Sequence, residues 1–242
     1  MLDIGAHGFA NATADRPLSV EIYAYLMEKG RVLDSLAAST SVDLSKVGNA
    51  VRRSGLQILT AFPLPKNAVS LRFFVRAGES GPTGSIQQNV TAPAFAPGQP
   101  VLSAPLFNLP LAGRIALPFQ PKDRPRIEIP FRLGGEPFIP EGSVVLKAGT
   151  AREVCVFVWP GRAEPTRRFE VGAEFASPGA PPRAVLIDGE PRVVTDQDGF
   201  DRYVVKLVIP ETPPGSYALR LTFRDPVRGL VTQSRTSVFV EP

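Results

Sequence analysis

The sequence predicts an all-β protein made of two tandem antiparallel β-sandwiches, and three observations support this. The 242 residues include 26 Pro and 21 Gly, which separate short apolar runs instead of forming tracts. Several of those runs alternate apolar and polar residues, as strands with one buried face do. The chain also repeats itself, because residues 71–76 (LRFFVR) match residues 219–224 (LRLTFR) at an offset of 148.

Residues 1–92 are predicted to form the first sandwich. Residues 1–17 show no periodicity, so we expect an irregular lead-in. Asp43 is a candidate N-cap for a short helix that ends at Arg53, with Gly55 just beyond it. Strands are expected at Leu18–Met27, Arg31–Asp43, Leu56–Phe62, Val69–Arg76 and Gly84–Thr91.

Residues 93–130 contain nine prolines together with many apolar side chains. A free linker would not carry that much apolar surface. We therefore expect a packed Pro-rich connector that lies across a domain face as a rigid joint.

Residues 131–242 are predicted to form the second sandwich, with about seven strands, the number typical of immunoglobulin-like and fibronectin-III-like domains. Glu153–Trp159 has two apolar faces and should be a central strand. The last two strands should form a hairpin, with Asp225-Pro226 and Gly229 in its turn. The strands are expected at Val144–Leu146, Glu153–Trp159, Arg168–Phe175, Ala184–Ile187, Tyr203–Ile209, Tyr217–Arg224 and Leu230–Val240.

Two further matches extend the internal repeat. Residues 62–63 (FP) match residues 209–210 (IP), and residues 21–24 (EIYA) match residues 170–173 (EVGA). Three matches in the same order indicate a duplicated domain. The second copy has two predicted strands before residue 170, whereas the first copy has only residues 1–17 in that place. We therefore expect the first domain to lack its opening strands and to be completed by a partner protein or an upstream segment of a longer parent.

Several stretches resemble acidobacterial proteins that contain a von Willebrand factor A (VWA) domain. They are VEIYAYLMEKGRVLDS, DLSKVGNAVRRSGL, VSLRFFVRAGESGPTGS and APAFAPGQPVLSAPLF, and the stretch PFRLGGEPFIPEGSVVLKAGTAREVCVFVW resembles a second module of the same proteins. In that family a secretion signal and a VWA domain precede β-sandwich modules, and the resemblance covers most of residues 18–240.

The resemblance implies a periplasmic or extracellular setting, a role in binding or in a membrane-associated assembly, and no catalytic residues. This chain departs from the family because it has no VWA domain. Asp43-Leu44-Ser45 is only a fragment of the Asp-x-Ser-x-Ser metal motif, since position 47 is Val, so metal-dependent adhesion does not transfer. The N-terminus also lacks the pattern of a signal peptide, which leaves a cytoplasmic location open.

Composition disfavours several other classes. The net charge is +4, but Lys and Arg are spread along the chain, so we expect no nucleic-acid partner. No apolar run reaches 18 residues, which predicts no membrane span. Cys155 is the only cysteine and lies in an apolar run, so a buried inert thiol is expected.

The sequence offers few candidate sites for chemistry. His7 is the only histidine and lies in no hydrolase motif, so we predict no catalytic residue and no cofactor. Asp196, Asp198 and Asp201 flank a glycine and form a candidate calcium site. The favoured alternative for that cluster is a hairpin turn between Val193 and Tyr203.

Phe74 should point to solvent, because strict alternation directs Phe73 inward. With Arg72 and Arg76 on either side, Phe74 is a candidate interface residue. The predicted function is a non-enzymatic interaction or scaffold module of a bacterial envelope assembly. A carbohydrate-binding accessory module and a hydrolase with paired carboxylates are the alternatives.

Overall fold

The computed structural model describes residues 2–5, 9, 17–60, 62, 64–78, 81–92, 99–108, 115–118, 132–159, 168–195 and 200–242. The chain forms two compact units. Unit 1 comprises Met1–Pro93 and Pro110–Pro130, and unit 2 comprises Ala94–Leu109 and Phe131–Pro242. The predicted connector is therefore divided between the two units. The prediction of an all-β chain is confirmed, since the described elements are strands apart from one short helix.

The described part of unit 1 contains seven strands and one helix. They are β1 (Leu2–Ile4), β2 (Leu18–Glu28), β3 (Arg31–Val42), α1 (Leu44–Ser54), β4 (Leu56–Leu59), β5 (Val69–Ala77), β6 (Thr83–Val90) and β8 (Ile115–Pro118). One sheet has the antiparallel order β3-β2-β5-β6, and the other has the order β1-β4-β8 with β8 parallel to β4.

The core of unit 1 follows from alternation along β2. Val20, Ile22, Ala24 and Leu26 are at most 2% exposed, and the intervening side chains face outward, as predicted. The core also contains apolar side chains of β4 and α1, such as Ile58. The apolar face of the four-stranded sheet is therefore buried by the shorter sheet and the helix.

The prediction that residues 1–17 form an irregular lead-in is wrong for residues 2–4 and for Phe9. Residues 2–4 form β1, which pairs antiparallel with β4 and packs Leu2 and Ile4 against the core. Phe9 is 1% exposed in the same core. A three-residue strand is too short to show alternation, so only its pairing with β4 reveals it.

Helix α1 matches its prediction closely. The Asp43 carboxylate accepts a hydrogen bond from the backbone N–H of Ser45 at 3.1 Å, and that contact satisfies a donor at the helix start. Gly55 has a φ of 76° just after the helix, and its N–H donates to the carbonyl of Val51.

The described part of unit 2 contains twelve strands. They are β7 (Val101–Leu102), β9 (Arg132–Leu133), β10 (Glu136–Pro137), β11 (Val144–Lys147), β12 (Ala151–Trp159), β13 (Glu170–Ala176), β14 (Arg183–Ala184), β15 (Leu186–Ile187), β16 (Arg192–Thr195), β17 (Asp201–Val208), β18 (Gly215–Arg224) and β19 (Val231–Glu241). One sheet has the order β11-β19-β18-β13-β14. The other has the order β15-β17-β12-β7, with β16 also paired to β17.

Strand β12 is apolar on both faces and buried on both, as predicted. Val154, Val156 and Val158 belong to the main core between the sheets. Cys155 and Phe157 point the other way, into a smaller cluster with buried apolar side chains such as Phe138.

Arg202 lies at the smaller cluster and is only 1% exposed, which the sequence did not predict. Its guanidinium carbon lies 4.8 Å from the centre of the Phe157 ring. The same group donates hydrogen bonds to the backbone carbonyls of Arg132 and Phe200 at 2.5 and 2.8 Å. These contacts replace the water that a buried cation loses.

The closing hairpin β18–β19 contains the predicted turn. Asp225 is fully buried, and one carboxylate oxygen accepts hydrogen bonds from the backbone N–H groups of Val227 and Arg228 at 3.0 and 3.1 Å. Gly229 adopts a φ of 66°, a conformation that favours glycine. The Asp225 side chain therefore fixes the turn from inside.

Replacing Asp225 with Ala removes the acceptor of two backbone N–H groups. We expect Asp225→Ala to lower the free energy of unfolding by about 1–3 kcal/mol, and Asp225→Asn, which keeps a side-chain oxygen, to lower it less. Urea titration followed by the fluorescence of Trp159, which lies in the same unit, measures both. Equal losses in the two variants would contradict the role given to the carboxylate oxygen.

Burial raises the pKa of the Cys155 thiol to about 12, from a usual value of 9.0. Because the thiolate is the reactive form, we expect the native protein to react with a disulfide reagent at pH 8 on the order of 100-fold more slowly than the urea-unfolded chain. A native rate equal to the unfolded rate would contradict the burial of Cys155.

The raised pKa of Cys155 also sets the sign of a pH effect. Between pH 9 and 12 the unfolded chain loses the thiol proton while the folded chain keeps it, so stability falls as pH rises through that window. Burial raises the pKa of Tyr203 as well. Comparison with Cys155→Ala, in which Tyr203 still titrates, isolates the contribution of the thiol.

Candidate interaction site: an open groove in unit 1

A groove of about 360 Å³ opens between β1 and the β5–β6 hairpin of unit 1. Its apolar lining comes from Leu2 and Ile4 on β1, Phe73 and Val75 on β5, and Ile86 on β6. Apolar side chains on both walls suit a ligand that is itself largely apolar.

The strand order explains the position of the groove. β1 is the end strand of the three-stranded sheet, and β6 is the end strand of the four-stranded sheet. In the part of the chain that the structure describes, β1 pairs only with β4, and β6 pairs only with β5. The groove thus lies where one sheet is a strand narrower than the sheet that it faces.

Strand β6 shows the consequence of this mismatch. Ile86 lies opposite Phe73 in the β5–β6 register, so it shares the face that Phe73 turns toward the core. Ile86 is nevertheless 51% exposed, and every residue of Thr83–Asn89 is exposed. The inner face of this edge strand therefore lacks the cover that the opposite sheet gives to β2.

The predicted interface residues lie on the outer face of the four-stranded sheet. Phe74 is 39% exposed and its ring centre is 6.2 Å from that of Tyr23. Arg72 is exposed, and Arg76 forms an ion pair with Glu21 at 2.6 Å. The structure brings these residues together on one surface, and their role in an interface stays a prediction.

Tyr23 and Tyr25 belong to the same outer surface and were not predicted there. Tyr23 pairs with Phe74 across the strands, and Tyr25 pairs with Arg72. We call this surface, formed by Tyr23, Tyr25, Phe74 and Arg72, the aromatic face. Alternation along β2 already directed both tyrosines outward, but only the β2–β5 register places them beside Phe74.

The predicted calcium site is described only in part. Asp196 and Asp198 lie outside the described residues, as does His7. Asp201 is 9% exposed and accepts a hydrogen bond from the Thr195 hydroxyl at 2.7 Å. Within the described ranges, no group of three or more His, Cys, Asp or Glu side chains is placed to hold a metal ion. Calcium binding stays a prediction.

The alternative hairpin for that acidic cluster is present, since β16 and β17 pair antiparallel with Val193 opposite Tyr203. The longest described helix, α1, has 11 residues, and none of the described helices is long and apolar enough to cross a membrane.

Sequence reasoning missed the residues that line the groove. Ile86 stands among polar residues in TGSIQQN, where one apolar side chain gives no pattern. The only available signal was the expectation that the first domain lacks its opening strands. That expectation pointed to the sheet edge at the start of the domain, but it named no residue of the groove.

No protein-family model matches the chain, and no curated protein matches it significantly. Among solved structures, a family 123 glycoside hydrolase from Clostridium perfringens aligns with 41% of this chain and 22% of its own, at a TM-score of 0.30 and 10% identity. An endo-fucoidan hydrolase of glycoside hydrolase family 107 aligns with 94% of this chain and 24% of its own, at a TM-score of 0.26 and 10% identity. This chain therefore covers less than a quarter of each structure, and similarity this low indicates neither a shared fold nor a shared function.

Proposed function

We propose that this protein is a non-enzymatic interaction module of a bacterial envelope-associated assembly, and that unit 1 binds an extended segment of a partner protein in its groove. The exposed Ile86 on the inner face of β6 is the observation that carries the proposal. The envelope setting follows from the resemblance to the sandwich modules of VWA-containing proteins.

The groove has the features that strand addition requires. An edge strand offers backbone donors and acceptors to an incoming chain, and side-chain pockets give the selectivity. Here two edge strands flank an apolar groove. Each 100 Å² of apolar surface that the partner covers contributes on the order of 2.5 kcal/mol before the costs of association.

We infer further that the two units are diverged copies of one immunoglobulin-like module, arranged in tandem. The order β3-β2-β5-β6 in unit 1 parallels the order β14-β13-β18-β19 in unit 2. In the facing sheets, β1 pairs antiparallel with β4, as β12 does with β17. Modules of this kind serve as binding domains in many surface proteins.

The hydrolase alternative finds less support at the groove. A glycosidase mechanism of that type needs two carboxylates facing one substrate. Among the described residues that line the groove, Asp3 is the one with a carboxylate, and one of its oxygens accepts a hydrogen bond from the buried Gln57 side chain at 3.0 Å.

Replacing Ile86 with Glu puts a charge into the groove while leaving the fold intact. Because Ile86 is half exposed, we expect a change in unfolding free energy within about 0.5 kcal/mol. We expect the variant to lose the partner that wild-type protein captures from a native membrane fraction. Amide hydrogen exchange should show that the captured partner protects residues 83–90 in the wild-type protein.

Gln87→Glu is the matched control, because this substitution adds the same charge on the same strand. Gln87 pairs with Arg72, so the added charge lies on the outer face of the sheet. The control variant should capture the partner as wild type does. Capture that is equal in wild type and Ile86→Glu, or a captured partner that leaves residues 83–90 unprotected, would overturn the groove as the binding site.

The aromatic face supports a second candidate function, the binding of carbohydrate. Sugar rings present C–H groups that pack on the electron-rich faces of aromatic rings. Tyr25 and Phe74 are 38% and 39% exposed on this face, and Tyr23 lies beside Phe74. The β2–β5 register brings these three rings together on one face.

We expect Phe74→Ala and Tyr25→Ala each to weaken polysaccharide binding by about ten-fold if this second function holds, since one stacked ring is lost. Affinity electrophoresis against neutral and acidic polysaccharides measures the retardation. Ser85→Ala is the control, because Ser85 pairs with Phe74 on the same face without contributing a ring. Retardation that both aromatic variants retain would reject the carbohydrate function.

A further inference from the structure

Unit 2 contains a counterpart of the groove that is filled by its own chain. In unit 1, Ile86 pairs with Phe73. In unit 2, Ser234 pairs with Leu221. Phe73 and Leu221 are 148 residues apart, as are Ile86 and Ser234, and 148 is the offset of the repeat. Ile86 and Ser234 therefore occupy corresponding positions on β6 and β19.

The corresponding positions differ sharply in exposure. Ser234 is 7% exposed, whereas Ile86 is 51% exposed. On the neighbouring strands, Leu221 is fully buried, whereas its counterpart Phe73 is only half buried. Something in unit 2 covers a surface that unit 1 leaves open.

The cover in unit 2 is the extended segment 101–107. Its first residues form β7, which pairs antiparallel with the outer edge of β12. The Ser103 carbonyl accepts a hydrogen bond from the Ser234 hydroxyl, and the Ser103 N–H donates to the carbonyl of Phe157 at 2.8 Å. The segment thus bridges β12 of one sheet and β19 of the other.

Further along, the same segment is held by backbone and core contacts. Leu106 and Cys155 exchange two backbone hydrogen bonds of 2.8 Å. Phe107 is fully buried in the main core, and Leu102 packs against it. The segment therefore combines strand pairing with two apolar side chains directed into the core.

Strand β1, which forms the other wall of the groove in unit 1, is the counterpart of β12 in unit 2. Leu2 lies opposite Ile58 as Val154 lies opposite Val205. Ile4 lies opposite Leu56 as Val156 lies opposite Tyr203. The groove of unit 1 therefore occupies the place that residues 101–107 fill in unit 2.

We infer that the occupant of the groove is an extended, uncharged partner segment that runs antiparallel to β1 and inserts apolar side chains at the positions of Leu102 and Phe107. The inference rests on the proposed function and specifies the partner. Residues 99–108 (QPVLSAPLFN) contain no charged side chain, which matches the apolar groove walls. The two prolines restrict the segment to extended conformations, which lowers the entropy lost on binding.

A synthetic peptide of residues 99–108 with blocked ends is the probe, titrated into the full-length protein by calorimetry. We expect one binding site, at least about ten-fold weaker binding to Ile86→Glu, and unchanged binding to Gln87→Glu. Peptides carrying Leu102→Glu or Phe107→Glu should bind at least about ten-fold more weakly. No binding by the wild-type peptide, or equal binding by Ile86→Glu, would overturn the inference.

Photo-crosslinking tests the direction of the segment. A crosslinker at position 103 of the peptide should label the strand that contains Ile86, because Ser103 contacts Ser234 in unit 2. A crosslinker at position 106 should label residues 2–5, because Leu106 pairs with Cys155, the counterpart of Asp3. Labelling outside the groove, or labels exchanged between the two positions, would contradict the antiparallel placement.

The results separate this inference from the proposed function. Peptide binding in the groove, together with partner capture that is unchanged in Ile86→Glu, would support the inferred chemistry of the groove and reject the proposed function. Ile86-dependent capture without peptide binding would support the function and reject the inferred chemistry of the segment. A dimer that forms on concentration and is lost in Ile86→Glu would identify a second copy as the occupant and overturn both.

Discussion

Two facing sheets bury a core only where each covers the other, and this constraint governs both units. Unit 2 satisfies it, since strands are present along both edges and Leu219, Leu221 and Phe223 are fully buried. In the described part of unit 1 a four-stranded sheet faces three strands, and the uncovered width leaves Ile86 half exposed. Because apolar surface left in water costs free energy, the mismatch creates a surface that gains from an added segment.

The smaller cluster of unit 2 shows that the outer face of a sheet also needs cover where its side chains are apolar. Strand β12 has apolar side chains on both faces, so its second face also needs cover. Phe138 and its neighbours supply that cover, and the buried guanidinium of Arg202 bonds to the carbonyls of Arg132 and Phe200. A cation held by carbonyls and an aromatic ring ties the covering segment to the sheet and remains satisfied without water.

How much the sequence predicted depended on the range of the interactions involved. Alternation in β2 and the capping residues Asp43 and Gly55 are local, and they predicted the long strands and α1 correctly. Strands of two to four residues, such as β1 and β7, carry no period and exist because of their partners. The outward direction of Phe74 was predictable in the same local way. The exposure of Ile86 was not, since it depends on the width of the sheet opposite.

The composition of β6 explains how an open edge remains selective. An exposed edge strand invites pairing with any other edge, including that of a second copy. β6 carries Gly84 before Ile86 and a run of side-chain amides after it, so pairing two such edges would bury little apolar surface. A segment with two apolar side chains would instead cover Phe73 and Ile86 together, at about 25 cal/mol for each Å² of apolar surface. Selectivity therefore lies in the apolar groove beside the edge, because backbone pairing is the same for every partner.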